Sequence, residues 1–393
     1  MSNMCPEFER YSFKANWFQK EADMCRPFII NVFPKDNSVE IFDERSRKMF
    51  MRRSPLDTLN AVNHERATSK QIYVGAKLNI FGRQFDITDY ADDVTKFKLS
   101  SHRESAFCLL KPHAIPFTDK ILNQFRDERL TIGNCKMVQL DRDCASRLLM
   151  QEMADVSPTL PDLVESITQG PALALELFGQ NAIRKLLDIL GPDNPDDAKE
   201  LCPNSIRAKY GMSLFKNVAF CSKSAASTEV NIRFFFTEYQ VEPYVTMNGT
   251  LAIVKPHAVL DGKLGDIISI IYENNFRVTA MKMMYMERGN CEEFLEVYKG
   301  VAPEYNKMVL EFISGPTVGL EIISCDSHIE SPTKSHCDFR NLCGPSDPEI
   351  ARRIRPRTIR AKFGTNLIQN AIHCTDLPDD IELELNRFFK VFH

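Results

Sequence analysis

The chain contains itself twice. Leu110-Lys111-Pro112-His113-Ala114-Ile115 returns as Val254-Lys255-Pro256-His257-Ala258-Val259. Gly170-Pro171 returns as Gly315-Pro316, Gly191-Pro192-Asp193-Asn194-Pro195 as Gly344-Pro345-Ser346-Asp347-Pro348, and Ile206-Arg207-Ala208-Lys209-Tyr210-Gly211 as Ile359-Arg360-Ala361-Lys362-Phe363-Gly364. Asn217-Val218-Ala219-Phe220-Cys221 then faces Asn370-Ala371-Ile372-His373-Cys374, and the aromatic runs from Arg233 and from Arg387 close the two copies. Matches kept in one order over such a distance define a tandem duplication, so whatever fold the repeat specifies is built twice.

The copies run over 105–236 and 250–393, joined by a linker at 237–249 that holds Pro243 and the turn pair Asn248-Gly249. In the second copy Leu251 to Val254 reads as a strand. Gly265 to Asn275 puts Ile267, Ile268 and Ile271 on one helical face, and Arg277 to Met286 alternates as a strand. Strand, helix, strand, helix and strand in this order predict an antiparallel sheet covered by helices, an α+β domain. Residues 1–100 read differently. Phe28 to Phe33 and Val39 to Phe42 flank a turn at Pro34-Lys35-Asp36-Asn37-Ser38. Lys48 to Arg52 and Gln71 to Asp89, punctuated by Gly75 and Gly82, add further strands to an all-β domain. Arg45, Arg47, Lys48, Arg52 and Arg53 cluster there, either to meet an acidic protein surface or as an ordinary solvated hairpin face.

A chain of 393 residues exceeds one domain of about 100–200. With 44% hydrophobic and 26% charged residues it has material for several cores, which excludes a wholly disordered or fibrous chain. The net charge of -4 gives no long basic face, so DNA is not an expected partner. Glu7, Glu9 and Arg10 interrupt any secretory signal, and no apolar run reaches the roughly 18 residues of a membrane span. A soluble intracellular protein without membrane attachment is expected, its 12 cysteines free thiols. His328, His336, Cys337 and Cys343 have the residue types of a zinc site but the spacing of no compact finger, so no metal site is assigned.

In the second copy Lys255, Arg340, Arg360 and Asn370 offer fixed donors around one neutral nucleophile, His373. That set suits phosphoryl transfer through an enzyme-bound phosphate, with Glu384 available to hold the other imidazole nitrogen. Val254-Lys255-Pro256, Thr358-Ile359-Arg360 and Asn370-Ala371-Ile372-His373 resemble the signature motifs of nucleoside diphosphate kinases. The resemblance implies a ferredoxin-like βαββαβ fold and ping-pong transfer of a γ-phosphate, from a nucleoside triphosphate with Mg2+ to a nucleoside diphosphate, through phosphohistidine. It implies His373 as carrier, Glu384 as its orienting acid, Lys255 and Asn370 on the ribose and phosphate side, Arg340 and Arg360 as phosphate clamps, and Ser346 in the family's Thr role. Departures accompany it: His373-Cys374-Thr375-Asp376 stands for His-Gly-Ser-Asp, Arg357 for a glycine, and Glu304, with Tyr305 beside it, for the base-stacking aromatic.

The first copy keeps Lys111, Arg207 and Asn217 but places Phe220 at the nucleophile, Leu187 at the Arg340 position and Asp193 at the Ser346 position. Phenylalanine has no lone pair to carry a phosphate, and a carboxylate repels one, so this copy is read as catalytically dead. The leader, through Arg10-Tyr11-Ser12-Phe13, Asn31-Val32-Phe33-Pro34 and Phe81-Gly82-Arg83-Gln84-Phe85, resembles a DM-ten domain, a pleckstrin-like β-sandwich, and narrows the resemblance to the nucleoside diphosphate kinase 7 group. This implies a structural protein inside the doublet microtubules of the ciliary or flagellar axoneme. The implied partners are tubulin, neighbouring axonemal proteins and γ-tubulin complexes of the centrosome. The alternative is an active kinase working through His373 alone. The short linker further predicts a monomer whose two kinase-like domains pair within the chain.

Overall fold

The computed structural model describes residues 10–19, 24–56, 72, 74–80, 83–92, 95, 104–150, 159–238, 241–325 and 332–392. Alternating apolar residues in the leader form six antiparallel strands: β1 (Tyr11–Gln19), β2 (Met24–Phe33), β3 (Ser38–Asp43), β4 (Lys48–Pro55), β5 (Lys77–Ile80) and β6 (Arg83–Tyr90), in the order β4-β3-β2-β1-β6-β5. Phe13, Phe28 and Phe85 are fully buried on the face that alternation directs inward. Phe28 and Phe85 meet edge to face with centroids 5.3 Å apart. Of the basic cluster, Arg45, Arg47, Lys48 and Arg52 are exposed. Arg53 is not a free charge: it bonds Asp36 at 2.6 Å and Ser38 Oγ at 2.8 Å, and covers the Phe33 ring. Phe81 and Gly82 lie outside the described residues.

The first copy follows with β7 (Glu104–Leu110), β8 (Thr131–Val138), β9 (Ala172–Gly179) and β10 (Ala219–Cys221), and the second with β11 (Thr250–Val254), β12 (Phe276–Met284), β13 (Thr317–Ser324) and β14 (Ile372–Cys374). They make one eight-stranded sheet, β10-β7-β9-β8-β12-β13-β11-β14. Each half therefore orders its strands fourth, first, third, second, with the helices Thr118–Asp127 and Leu264–Glu273 following the first strands. That is the ferredoxin-like βαββαβ arrangement, and the chain as a whole is α+β.

The copies meet through equivalent parts. β8 pairs with β12 at Lys136 and Lys282. Helix Thr118–Asp127 lies against Leu264–Glu273, where Arg126 bonds Asp266 at 2.7 Å and Ser269 bonds Asp119 at 2.9 Å. The contact surfaces are the same element from each copy, as in an isologous interface. The linker is not a loose tether. Pro243 bridges to Val138, and buried Glu321 of β13 accepts from the backbone N–H groups of Thr246, Asn248 and Gly249 at 2.9, 3.0 and 3.2 Å.

One segment departs from the sequence boundaries. Tyr285–Gly315, with helices Arg288–Phe294 and Tyr305–Phe312, forms a compact unit with the N-terminal residues. Glu104–Met284 and Pro316–His393 form the other unit. Within the first unit, burial and then the charge of Glu287 raise the Asp86 carboxyl above its usual range, against the pull of Lys77. No helix among the described residues is long and apolar enough to cross a membrane.

At the junction both lysines are buried. Lys136 Nζ donates to Val241 O at 2.8 Å, and Lys282 Nζ donates to the carbonyls of Phe388, Phe389 and Phe392 at 3.2, 3.4 and 2.6 Å. Burial lowers both to about 8, and for Lys282 the charge of Lys136 adds to this. Between about pH 8 and the free-lysine value of 10.5 the unfolded chain binds more protons, so these groups make stability rise with pH. We expect Lys282→Met to lower stability by about 1–3 kcal/mol, because the three carbonyls lose their donor. The deficit should widen from pH 8 to 10, read by urea midpoints at each pH.

Candidate functional site

Each copy places its key side chains around one strained backbone residue. Val218 and Ala371 adopt φ of 76° and 69°, a left-handed conformation that costs a non-glycine residue about 1–3 kcal/mol. Both precede a three-residue strand, and the Lys-Pro-His turn holds them. Lys255 N–H donates to Ala371 O at 2.9 Å, and Ala371 N–H donates to His257 Nε2 at 3.2 Å. In the first copy Lys111 N–H meets Val218 O at 2.8 Å, and Val218 N–H meets His113 Nε2 at 3.1 Å. A ring nitrogen that accepts an N–H carries the lone pair, so in both imidazoles the proton sits on Nδ1. For His113, burial and then Lys111 lower the pKa to about 4, keeping it neutral. The duplicated Lys-Pro-His was visible in the sequence, but its histidine as backbone acceptor was not.

The strained residue turns β14 so that His373 stands opposite Ile253 of β11. Its Nε2 lies 3.6 Å from Glu384 Oε2, both side chains being largely buried. Thr375 Oγ1 donates to the same carboxylate oxygen at 2.7 Å, fixing it. An anionic oxygen beside Nε2 favours the proton there and leaves the lone pair on Nδ1, the condition for a nucleophile. The fold thus brings His373 and Glu384 together.

The surrounding groups are positioned by the same loops. Arg360, buried, donates to Ile372 O at 3.1 Å, Gly344 O at 2.8 Å and Cys374 Sγ at 3.7 Å. Gly344 sits at φ 84°, and a Cβ there would meet Thr358 Oγ1 at 2.3 Å, so only glycine allows that loop to reach the arginine. Lys255 Nζ donates to Ile368 O at 2.7 Å. Asn370 Nδ2 donates to Ser346 O at 3.0 Å, while its Oδ1 is buried without a hydrogen-bond partner among the described residues. Ser346 itself is exposed. Arg340 donates to Thr375 O at 2.9 Å and to the Asp376 carboxylate. Tyr305 belongs to the other compact unit, where its hydroxyl donates to Glu292 O at 3.4 Å.

Two buried thiols, Cys343 of the zinc-like cluster and Cys374 beside His373, meet in this site, a contact that their spacing in the sequence does not show. Cys374 is held below the usual thiol range by a hydrogen bond from Cys343, then by Arg360, whereas burial pushes Cys343 well up. Of the zinc-like cluster, His336 Nε2 bonds Thr375 O at 2.8 Å, and His328 lies outside the described residues.

The first copy repeats the frame and changes the chemistry. Arg207 donates to Gly191 O at 2.6 Å, and Asn217 donates to Asp193 O at 2.9 Å, matching Arg360 to Gly344 and Asn370 to Ser346. Lys111 Nζ donates to Phe215 O at 2.7 Å. Where the second copy has His373, Glu384 and Thr375, the first has Phe220, Asn231 and Ser222, and Asn231 Nδ2 donates to Ser222 Oγ at 2.8 Å. Phe220 packs against the apolar cluster around Phe107, Leu109 and Phe235, and Leu187 against the core below its helix.

If the acceptor on Ala371 matters, His257→Ala should lower stability by about 1–3 kcal/mol by orphaning a buried N–H, and His257→Asp, which keeps an acceptor, should restore most of it. Urea unfolding of the three proteins checks this.

Comparison with known proteins agrees with the geometry. The nucleoside diphosphate kinase family profile matches residues 104–241 and 248–393, and the DM10 domain profile matches 8–95. Nucleoside diphosphate kinase homolog 7 of Rattus norvegicus is 38% identical over 387 residues, 98% of this chain and 93% of its own length, and the Mus musculus homolog is 37% identical over the same shares. A nucleoside diphosphate kinase of Lawsonia intracellularis is 35% identical over 146 residues, 37% of this chain and 97% of its own. The crystal structure of the Aquifex aeolicus nucleoside diphosphate kinase is 30% identical and aligns with 35% of this chain and 99% of its own, at a TM-score of 0.33. The chain belongs to the nucleoside diphosphate kinase family, with two kinase domains behind a DM10 domain.

Proposed function

We propose that the chain is a structural component of the ciliary or flagellar axoneme, bound to tubulin and neighbouring axonemal proteins through its leader domain and first copy, and that its second copy retains phosphate transfer. The centrosome and its γ-tubulin complexes are a further site of attachment in this reading. The observation that supports the catalytic half is His373 Nε2 facing Glu384 at 3.6 Å with Thr375 locking the carboxylate. A neutral imidazole with Nδ1 unprotonated attacks the γ-phosphorus of a nucleoside triphosphate, the bond to the bridging oxygen breaks, and the diphosphate leaves. A second nucleoside diphosphate then takes the phosphoryl group from Nδ1. Asn370 Oδ1 suits a hydroxyl donor of that substrate, and Arg360 with Lys255 supplies positive charge. Mg2+ would neutralise phosphate charge. Among the described residues no group of three His, Cys, Asp or Glu side chains could hold an ion, so it would come liganded by the nucleotide's own oxygens.

What supports the structural half is the asymmetry of the copies. Phe220, Asn231 and Asp193 remove the chemistry, while Arg207, Asn217 and Lys111 keep the loops bonded and the fold intact. A protomer whose copies already pair edge to edge is read as a monomer.

Labelled triphosphate should leave an acid-labile label on the wild-type chain and none on His373→Ala. Glu384→Gln, which no longer favours the Nε2 proton, should slow labelling by on the order of 100-fold or more. Label persisting on His373→Ala would remove the catalytic reading. For the structural half, a chain lacking residues 1–100 should fail to enter doublet microtubules while His373→Ala enters normally, scored by fractionation of axonemes. The reverse pattern would make catalysis the main function.

A further inference from the structure

We infer that the first copy carries a reversible oxidation site, in which Cys108 of β7 and Cys221 of β10 close into a cross-strand disulfide when the chain meets a hydroperoxide. Both are thiols in the structure, and they are direct register partners in the antiparallel pair of β7 and β10. The bonds on either side fix which kind of pair they form. Lys111 N–H donates to Val218 O at 2.8 Å and Ser222 N–H donates to Phe107 O at 3.2 Å, so the hydrogen-bonded pairs are 111 with 218, 109 with 220 and 107 with 222. Cys108 and Cys221 therefore face each other at a non-hydrogen-bonded position, where Cα atoms stand about 4.5 Å apart and side chains lie closest. That separation falls inside the range of about 4.4–6.8 Å that a disulfide spans. Both side chains point to one face of the sheet: they belong to the apolar cluster of Leu110 and Ala219, whereas Phe107, Leu109 and Phe220 pack on the other face.

The pair is buried, and its strand supplies the access. Cys108 has no exposure and Cys221 has 4%. β10 is three residues long and forms the edge of the sheet, where it pairs with β7 alone. A short edge strand opens at low free-energy cost, and Cys221 is among the residues that line a cavity of about 280 Å3. A small uncharged oxidant reaches the sulfur by these routes. Cys221 reacts first, because burial, then the neighbouring Cys221, push the Cys108 thiol well up and keep it protonated. The Cys221 sulfur attacks one peroxide oxygen, the O–O bond breaks, and the other oxygen leaves as water with the proton that Cys221 gives up. The Cys108 sulfur then attacks the Cys221 sulfenic acid, the S–O bond breaks, and the hydroxyl leaves as a second water with the Cys108 proton. Two thiols are oxidised by two electrons, and the peroxide is reduced to water.

The ring closed in this way runs from the first strand of the copy to its fourth and holds nearly the whole domain, the left-handed corner at Val218 included. A cross-link over so long a loop removes much of the freedom of the unfolded chain, so oxidation staples the first copy shut. The second copy has no such pair. Ala252 stands opposite Cys374 on the equivalent strands, and Cys374 meets Cys343, where the first copy has Leu190. The cross-strand staple therefore belongs to the copy without a nucleophile. A disulfide that forms and is reduced again is the kind that a reducing compartment sustains.

The inference rests neither on catalysis by His373 nor on attachment to the axoneme. The full chain, reduced with dithiothreitol and desalted, is treated with hydrogen peroxide and separately with diamide, then alkylated, digested and mapped by mass spectrometry without reduction. Wild type should yield two peptides joined through Cys108 and Cys221. Its melting temperature should rise by about 5–10 °C on oxidation and return on treatment with dithiothreitol. Cys108→Ala and Cys221→Ala should each lose the joined peptides and the rise; one variant suffices where the other fails to fold, and the wild-type map is decisive without either. Cys343→Ala, which removes the other thiol pair, should keep both. The proposal is overturned if neither oxidant joins Cys108 to Cys221, if Cys221 goes on to the sulfinic acid without a cross-link, or if the only link found is between Cys343 and Cys374. A link between Cys108 and Cys221 that forms only in urea, or that leaves the melting temperature unchanged, would also overturn it.

Discussion

The left-handed residue ahead of each short fourth strand is the constraint on which the rest of the site depends. Ala371 cannot hold φ 69° by itself; its carbonyl and amide are taken by Lys255 N–H and His257 Nε2, one turn of chain more than a hundred residues earlier. With that corner fixed, Ile372 O faces Arg360, Asn370 faces the Ser346 loop, and His373 enters the sheet beside Ile253. Strain at such a place persists only because surrounding bonds over-determine it. The first copy keeps the same corner at Val218, where a β-branched side chain makes the conformation still less favourable.

That persistence changes what the shared residues mean. Lys111, Arg207 and Asn217 look in sequence like remnants of phosphate binding, and in the structure each holds a loop by bonding a backbone carbonyl. A domain that needs its fold but no chemistry still needs them. The residues that differ are grouped around the imidazole position: Phe220 stands for His373, Asn231 for Glu384, and Leu187 and Asp193 for Arg340 and Ser346. The replacements are mutually consistent. With no imidazole to orient, a carboxylate at 231 would be a buried charge without a partner, and the amide that stands there bonds Ser222 instead.

Much of this was legible from the chain alone because it lies in short, ordered patterns. The duplication and the strands at Leu251 to Val254 and Phe28 to Phe33 follow from residue type and spacing, and the pairing of His373 with Glu384 is what the family resemblance of their motifs implies. What could not be read are the partners that only folding supplies. His257 as acceptor for Ala371, Arg53 paired back to Asp36, and Cys343 beneath Cys374 are encounters between segments whose separation carries no periodicity. The linker holds a contact of the same kind. Pro243 and Asn248-Gly249 look like punctuation, yet Glu321, far along the chain, gathers three of that segment's N–H groups. Tyr285–Gly315 lies inside one family match and still clusters with the N-terminal sheet, since a profile follows the chain and packing follows surfaces.

Joining two copies in one chain is what lets them differ. Two identical subunits meeting through β8 and β12 would place the same residue on both sides, and any change that removed the nucleophile from one would remove it from the other. In the tandem, the edge is shared but the sites are not. The join itself retains the mark of its symmetric form: lysines from equivalent strands, Lys136 and Lys282, face each other across it, each buried and each turned to backbone carbonyls, Lys136 to the linker at Val241 and Lys282 to the end of the second copy. Like charges there cost stability, and the carbonyls of Val241 and Phe392 offset the cost by hydrogen bonding. The pairing survives as architecture, and the symmetry it would impose on two separate chains does not bind two halves of one.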